Sequence, residues 1–473
     1  MTQEYRLFIN GEWIATERKQ GVFNKATGDL IGECYVAGQK EITMAVDAAQ
    51  NTFRVQKLDP YRRFEILKRA SELLLERQED FALTISQEVG KTLKEARGEV
   101  IHAVQTLLVS AEEAKTFQGE LVPVNGSRGN ANRFAYTLRI PVGVVCAITP
   151  FNVPLNLSCH KIGPALAAGN TVVYKPASVT PITGAKLCQV FIDAGLPNGF
   201  LNLLMGAGSV VGSALVKDER IAFYSFTGSV DVGKELKNAI GFRRLSLELG
   251  SNAPNIIHHD ADLAFAVEAC IRAAFANAGQ LCMSSQRIYV HESIYQQFCS
   301  QAVAATQSLK VGDPLDPSTD IGPMISVSAA IRAENWIREA ETEGATVLIG
   351  GWRKGPFLQP TILTDVTADM KVVSMEAFAP IFTVAPYKTI EEAIALANNS
   401  FYGLQAGVFT NSMDIANRCI AGLEVGGVLI NDASTFRADC MPYGGVKDSG
   451  FGKEGPRYTM KEMTEEKIVV MKI

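Results

Sequence analysis

The chain opens on short alternating runs. Arg6-Leu-Phe-Ile9, the Asn10-Gly11 turn and Asn24-Lys-Ala-Thr-Gly28 read as brief strands and turns within residues 5–35. From Glu41 to Gln118 the period changes. Ile66, Leu67, Ala70, Leu73 and Leu74 recur at helical spacing with charges between them, which predicts amphipathic helices. Residues 121–140 alternate and carry Pro, Asn and Gly, as an extended hairpin does. Beyond residue 142, β-branched runs alternate with helical stretches such as Pro181–Ala194. The runs are Val142–Ile148, Thr171–Tyr174, Leu201–Leu204, Ala222–Phe226 and Ala253–Ile257. Strand, helix, strand at this spacing predicts a parallel sheet with helices on its faces. A later set predicts a second α/β unit: Arg287–Val290, Thr346–Ile349, Ile381–Tyr387, Ala406–Phe409 and Gly427–Asn431. The tail Glu465–Ile473 reads as a strand, and an exposed terminal strand needs a partner.

A length of 473 residues bounds this at two large domains or three ordinary ones. Lys plus Arg is 45 and Asp plus Glu is 50, a net charge of −5 that offers no footprint for a nucleic-acid backbone. Nine cysteines without a CxxC pair argue against a disulfide framework and for a reducing compartment, the cytoplasm. Met1–Asn10 has no apolar core of a signal peptide. The apolar stretch Ile140–Leu157 is broken by Pro141, Pro150 and Pro154, so a membrane span is not expected.

Candidate chemistry gathers at the ends of these runs. Cys282, in Asn277-Ala-Gly-Gln-Leu-Cys282, follows small residues on a turn where a thiol is open to a cleft. Glu248 ends an apolar strand before Gly250, where partial burial would raise its pKa toward general-base use. Asn152, between Pro150 and Pro154, can donate an amide N–H to an oxyanion. Three strand-end turns suit a nucleotide: Gly206-Ala-Gly208-Ser-Val-Val-Gly212, Phe226-Thr-Gly228-Ser229 and Lys175-Pro-Ala-Ser178. The first is GxGxxxG rather than GxGxxG, with no acid ending a strand about 20 residues on. His160 lies in a largely apolar helix as a core or pocket-wall histidine. Arg437 is either an anion anchor or a salt-bridge partner of Asp439. His258-His259-Asp260 lacks the spacing of a zinc set, and no metal is assigned.

Taken in order, these elements resemble the aldehyde dehydrogenase superfamily along essentially the whole chain. The resemblance rests on Pro150-Phe-Asn152, Gly169 to Ala177, Phe226 to Ser229, Leu247-Glu248-Leu-Gly250, Gly279-Gln-Leu-Cys282, Glu376-Ala-Phe378-Ala-Pro380, Asn431 and Gly444 to Gly450. It implies an α/β fold with two Rossmann-like parallel-sheet domains and a small β bridging element. The NAD(P)-binding domain would span 1–120 and 140–250, and the catalytic domain 251–452. Residues 121–139 with 453–473 would form the oligomerisation element of a homodimer or homotetramer.

It also implies a mechanism. The Cys282 thiolate attacks an aldehyde. Asn152 and the Cys282 backbone N–H hold the oxyanion, the nicotinamide takes the hydride, and Glu248 activates water to hydrolyse the thioester. Lys175 and Glu376 would hold ribose hydroxyls, with Phe378 beside the nicotinamide end. Thr149, Pro150, Ser178, Gly208, Gly212, Phe226, Gly228, Ser229 and Leu249 would complete the site for NAD or NADP.

Four positions depart from the usual pattern. Ser178 stands where relatives committed to NAD place Glu, which removes a barrier to the 2′-phosphate of NADP. Ala379, Met375 and Ser251 replace a Gly, an acid and a Gly. The Phe436-Arg437 to Gly445 stretch resembles branches that oxidise lactaldehyde or small anionic aldehydes. Leu281-Cys-Met-Ser resembles branches that take aromatic ones. The expected substrate is a small hydroxyaldehyde or semialdehyde met by Leu281, Arg437 and His160. The alternatives are a benzaldehyde-type or a coenzyme-A-acylating enzyme, a cysteine hydrolase pairing Cys282 with His160, or a non-catalytic protein.

Overall fold

Apolar runs with no polar face have to be covered from both sides. In the computed structural model, which describes residues 3–473, they are. The helix α1 (Leu93–Thr116) starts on a capping box in which Thr92 and Glu95 satisfy each other's backbone amides. It packs on α2 (Asn156–Ala167), every residue of which is buried. The first sheet holds β1 (Val144–Ile148), β2 (Thr171–Lys175), β3 (Leu201–Leu203), β4 (Ile221–Thr227) and β5 (Arg244–Glu248). They run parallel in the order β5-β4-β1-β2-β3. The helix α3 (Val230–Ala239) joins β4 to β5. Antiparallel strands close both edges: Gly450–Phe451 beside β5, and Leu7–Ile9 with Glu12–Ile14 beside β3.

The second sheet holds β6 (Pro254–Ile257), β7 (Arg287–His291), β8 (Thr361–Thr364), β9 (Ile381–Tyr387), β10 (Gln405–Phe409) and β11 (Gly427–Ile430). They are parallel in the order β8-β9-β7-β6-β10-β11. The crossover α4 (Leu263–Phe275) joins β6 to β7. Thr346–Ile349, expected among the parallel strands, instead runs antiparallel on the outer edge of β8. Its half-exposed residues suit an edge. β8 escapes the sequence pattern because four residues after a proline are too few to show a period.

A third sheet pairs Thr464–Lys472 with Arg133–Pro141 over nine positions, with Leu121–Val122 on the far side. This gives the C-terminal strand its partner, while leaving its outer edge open. Leu121, Phe134, Leu138, Ile468 and Val470 are exposed on this small sheet. Within 453–473 only the last segment enters it. The helix Pro456–Glu462 packs instead on α1 and α2, and Met460 and Met463 join the first core.

Candidate active site

The residues that follow the first sheet's strands meet the residues that precede the second sheet's strands. Past α4 the chain turns through Asn277, Ala278 and Gly279, all left-handed, with φ of 51°, 53° and 69°. Each non-glycine residue held there costs about 1–3 kcal/mol, so its surroundings have to fix it. The Asn277 amide N–H donates to Glu95 of α1 at 2.7 Å, and its side chain donates to the Asn152 carbonyl at 3.1 Å. Gln280 bonds the Asn277 carbonyl at 3.0 Å and accepts from the Ile325 amide at 2.9 Å. At Gly279 a Cβ would lie 2.0 Å from the Ala379 carbonyl oxygen, so only glycine passes. This clamped turn delivers Cys282 to the cleft.

Seven of the nine cysteines are buried, which leaves only Cys282 and Cys440 within reach of solvent. Cys282 Sγ lies 3.0 Å from the Tyr443 hydroxyl. Burial pushes its thiol up to about 12, with Glu376 and Glu248 adding to the push and the Tyr443 bond opposing it. At neutral pH the resting group is therefore a thiol, and a base has to take its proton. Asn152 gives one N–H to the Gln280 carbonyl at 2.8 Å and keeps a second. Asn152, Leu281, Cys282, Arg437 and Tyr443 line one cavity of about 290 Å³. A bigger cavity of about 780 Å³ lies beside α4, but no cysteine lines it, so the chemistry and not the volume locates the site.

Glu248 closes β5 with both carboxylate oxygens buried and without hydrogen-bond partners. Burial, then the charge of Glu454, holds its pKa well above the ordinary range, as a general base at neutral pH requires. Gly444 makes room for it, since a Cβ there would lie 2.7 Å from Glu248 Oε1. Behind it runs a buried triad. Glu454 takes Lys161 Nζ at 2.7 Å and Arg437 at 3.1 Å. Against the cost of burial, these two cations hold Glu454 at about 2. Arg437 also covers the Tyr443 ring at 3.9 Å. Its ion-pair partner is thus Glu454 and not Asp439.

His160 is fully buried and does not line the cavity. It bonds Asp439 and Thr106, each at 3.3 Å, and burial lowers it to about 4, a neutral core histidine. His102, which the sequence reading passed over, lines the cavity instead. Its signal was the spacing Glu95, Glu99, His102, Thr106, a polar stripe along one face of α1. Tyr443 lay inside the Phe436 to Gly445 stretch without a role, because nothing local ties it to a cysteine 161 residues away.

A third cavity, of about 470 Å³, opens at the carboxyl ends of β1, β2 and β4 and is lined by Lys175, Gly208, Gly212, Phe226, Val232 and Leu236. A Cβ at Gly208 or Gly212 would meet nothing within 4 Å, so this backbone is open to a ligand. Lys175 bonds only the Pro176 carbonyl, at 3.2 Å, and burial lowers it to about 8. Glu376 accepts the Ser251 amide at 2.9 Å, in space left by Gly250, and burial raises it to about 7. Lys175 is a buried donor and Glu376 a buried acceptor, each short of partners, and each could hold a ribose hydroxyl. Thr149 and Pro150 follow β1. Gly228 and Ser229 lead into α3, and the Leu249 amide bonds the Ser449 carbonyl at 2.9 Å. Phe378, at φ 46°, packs edge-on against Phe151 with ring centroids 5.9 Å apart. Ser178 stands outside the cavity lining, its carbonyl bonded by Gln20.

The chain is 50% identical to a 3-sulfolactaldehyde dehydrogenase of Priestia aryabhattai over 475 residues, 100% of this chain and 98% of that protein. It is 40% identical to a lactaldehyde dehydrogenase of Methanococcus vannielii over 470 residues, 98% of this chain and 99% of that one. A solved structure of a glyceraldehyde-3-phosphate dehydrogenase from Methanocaldococcus jannaschii, complexed with NADP, superposes with a TM-score of 0.93. It shares 39% identity and covers 97% of this chain and 100% of its own. The sequence profile of the aldehyde dehydrogenase family matches residues 13–469, and the chain belongs to that family.

Proposed function

We propose that the protein oxidises a three-carbon 2-hydroxyaldehyde, with or without an anionic group at C3, to the carboxylate, using NAD or NADP. The aldehydes named for the three relatives are all 2-hydroxypropanals that differ only at C3. The observation that carries the reading is the small cavity at the Cys282 thiol. Lys91, Glu95, Glu99, His102, Arg437 and Asp439 reach its wall, which suits a short, polar substrate. Leu157, Leu281 and Met283 supply an apolar side, so benzaldehyde belongs in the test as the contrasting substrate.

Glu248 as the carboxylate takes the Cys282 proton, directly or through a water. The thiolate adds to the aldehyde carbon, and the oxyanion takes the free N–H of Asn152 and the Cys282 backbone N–H. When bound, NAD or NADP would supply a hydride acceptor, so that loss of the adduct's C–H as hydride would leave a thioester on Cys282. Lys175 and Glu376 would hold the ribose hydroxyls of the dinucleotide, and Phe378 would back its reactive end. Glu248 then takes a proton from water, the resulting hydroxide attacks the thioester, and carboxylate and thiol separate. A buried base aimed at this step supports hydrolysis rather than transfer to coenzyme A. Ser178 adds no carboxylate against a 2′-phosphate, which leaves NADP usable. The exposed apolar side chains and open edge of the small sheet support self-association. No described helix is long and apolar enough to cross a membrane.

The test follows reduced dinucleotide with sulfolactaldehyde, lactaldehyde, glyceraldehyde 3-phosphate, succinic semialdehyde and benzaldehyde, with NAD and with NADP. Turnover highest with the hydroxypropanals and absent in Cys282→Ala supports the reading. Benzaldehyde as the best substrate overturns it.

A further inference from the structure

Three cations reach the cavity beside Cys282, and two of them are already engaged. Lys91 Nζ lies 2.6 Å from Glu99, with both groups buried. Arg437 is paired with Glu454 and lies over Tyr443. His102 differs. Its side chain is 54% exposed, and its Nδ1 lies 2.8 Å from Asp439 Oδ2. Asp439 is itself held by Asn156 Nδ2 at 3.2 Å and His160 at 3.3 Å, so it fixes the imidazole's orientation. That leaves Nε2 free at the cavity, a donor when the ring is protonated and an acceptor when it is neutral.

On the hydroxyaldehyde reading above, we propose that His102, oriented by Asp439, is the residue that reads the C3 substituent, and that its protonated form selects substrates carrying an anion there. The charged groups around it are Asp439 and Arg437 on the loop that ends at Tyr443, Glu95 and Glu99 on α1, and Lys91 just before α1. The hydrogen bond to Asp439 raises the imidazole's pKa, opposed by burial and by Arg437. The cation is therefore present below that raised pKa and is lost as pH rises through it. The neutral ring keeps its one N–H on Nδ1 for Asp439 and turns the Nε2 lone pair to the cavity, an acceptor for a substrate hydroxyl, so the preference for an anion is lost while uncharged hydroxyaldehydes still bind.

The experiment compares kcat/KM for sulfolactaldehyde, whose sulfonate stays ionised, with kcat/KM for lactaldehyde, from mildly acidic to mildly alkaline pH. The ratio cancels ionisations of Cys282 and Glu248, which act on both substrates alike. In the wild type the ratio falls by about tenfold as pH rises, the scale of one partly exposed charge contact. In His102→Gln it is low and flat, and in His102→Arg it is high and flat. A wild-type ratio that does not change with pH, or a His102→Gln ratio equal to the wild type's in acid, overturns the proposal. No turnover of either aldehyde overturns the hydroxyaldehyde reading itself, and this inference with it.

Discussion

The two parallel sheets meet the site from opposite ends. The first offers its carboxyl ends: Asn152 follows β1, Lys175 closes β2, the Gly228 turn follows β4 and Glu248 closes β5. The second offers its amino ends: Ser251 precedes β6, Cys282 precedes β7, and Glu376 and Phe378 precede β9. Its carboxyl ends carry His258, His259, His291 and Tyr387. These rings pack on one another with centroids 4.3 to 6.4 Å apart, and His258 bonds Tyr387 at 3.0 Å. The carboxyl-end rule for ligand sites thus holds for the first sheet, where turns and helix N-termini converge. In the second, the site was built where its loops touch α1 and the loops of the first sheet, and a strained turn clamped across that contact replaces the sheet as positioning device.

The sharpest test of this division is Cys282→Ala, which removes the nucleophile from the amino-end side. Turnover should fall by on the order of 10⁵, with the dinucleotide still bound, seen by quenching of protein fluorescence. Glu248→Gln attacks the carboxyl-end side. It should lower kcat by about 10²–10⁴-fold. Because burial raises the Glu248 pKa, and only the carboxylate is a base, wild-type kcat should climb with pH through that pKa. Gln should abolish the climb. A smaller effect checks the two sides together. Glu376 is anionic above about 7 and Lys175 cationic below about 8, so kcat/KM for the dinucleotide should peak between them. Glu376→Gln should erase the acid limb, and Lys175→Met the alkaline one. Tyr443→Phe removes one hydrogen bond to Cys282 and should slow inactivation by iodoacetamide by up to about tenfold. At the far end of the second sheet, His259→Ala should change kcat and KM by less than about twofold, as expected away from the chemistry. A larger loss there would break the contrast between the ends.

Much of the first sheet was legible in the chain, because β1, β2 and β4 are largely apolar, β-branched or aromatic runs and the turns after them carry proline or glycine. The second was less so. β8 is too short to show a period, and Thr346–Ile349 has the composition of a parallel strand but lies antiparallel at the edge. Among site residues, Cys282, Glu248 and Asn152 stood out by their local settings; Cys282 and Asn152 line one cavity, and Glu248 is buried close enough for its charge to act on the thiol. Arg437 was legible as a cation, whereas its partner was not: the nearby Asp439 was the local choice, and Glu454, 17 residues on, is the one it meets.

Local pattern, then, determined which segments become strands and helices and which residue types stand at their ends. Both follow from side-chain periodicity and backbone preference within a few residues. Only the tertiary structure decided what those ends face. The contacts that set the chemistry join Cys282 to Tyr443 across 161 residues and His102 to Asp439 across 337. The high pKa of Glu248 comes first from burial in the assembled fold. Burial and long-range charge belong to the assembled fold, and no stretch of chain carries them by itself.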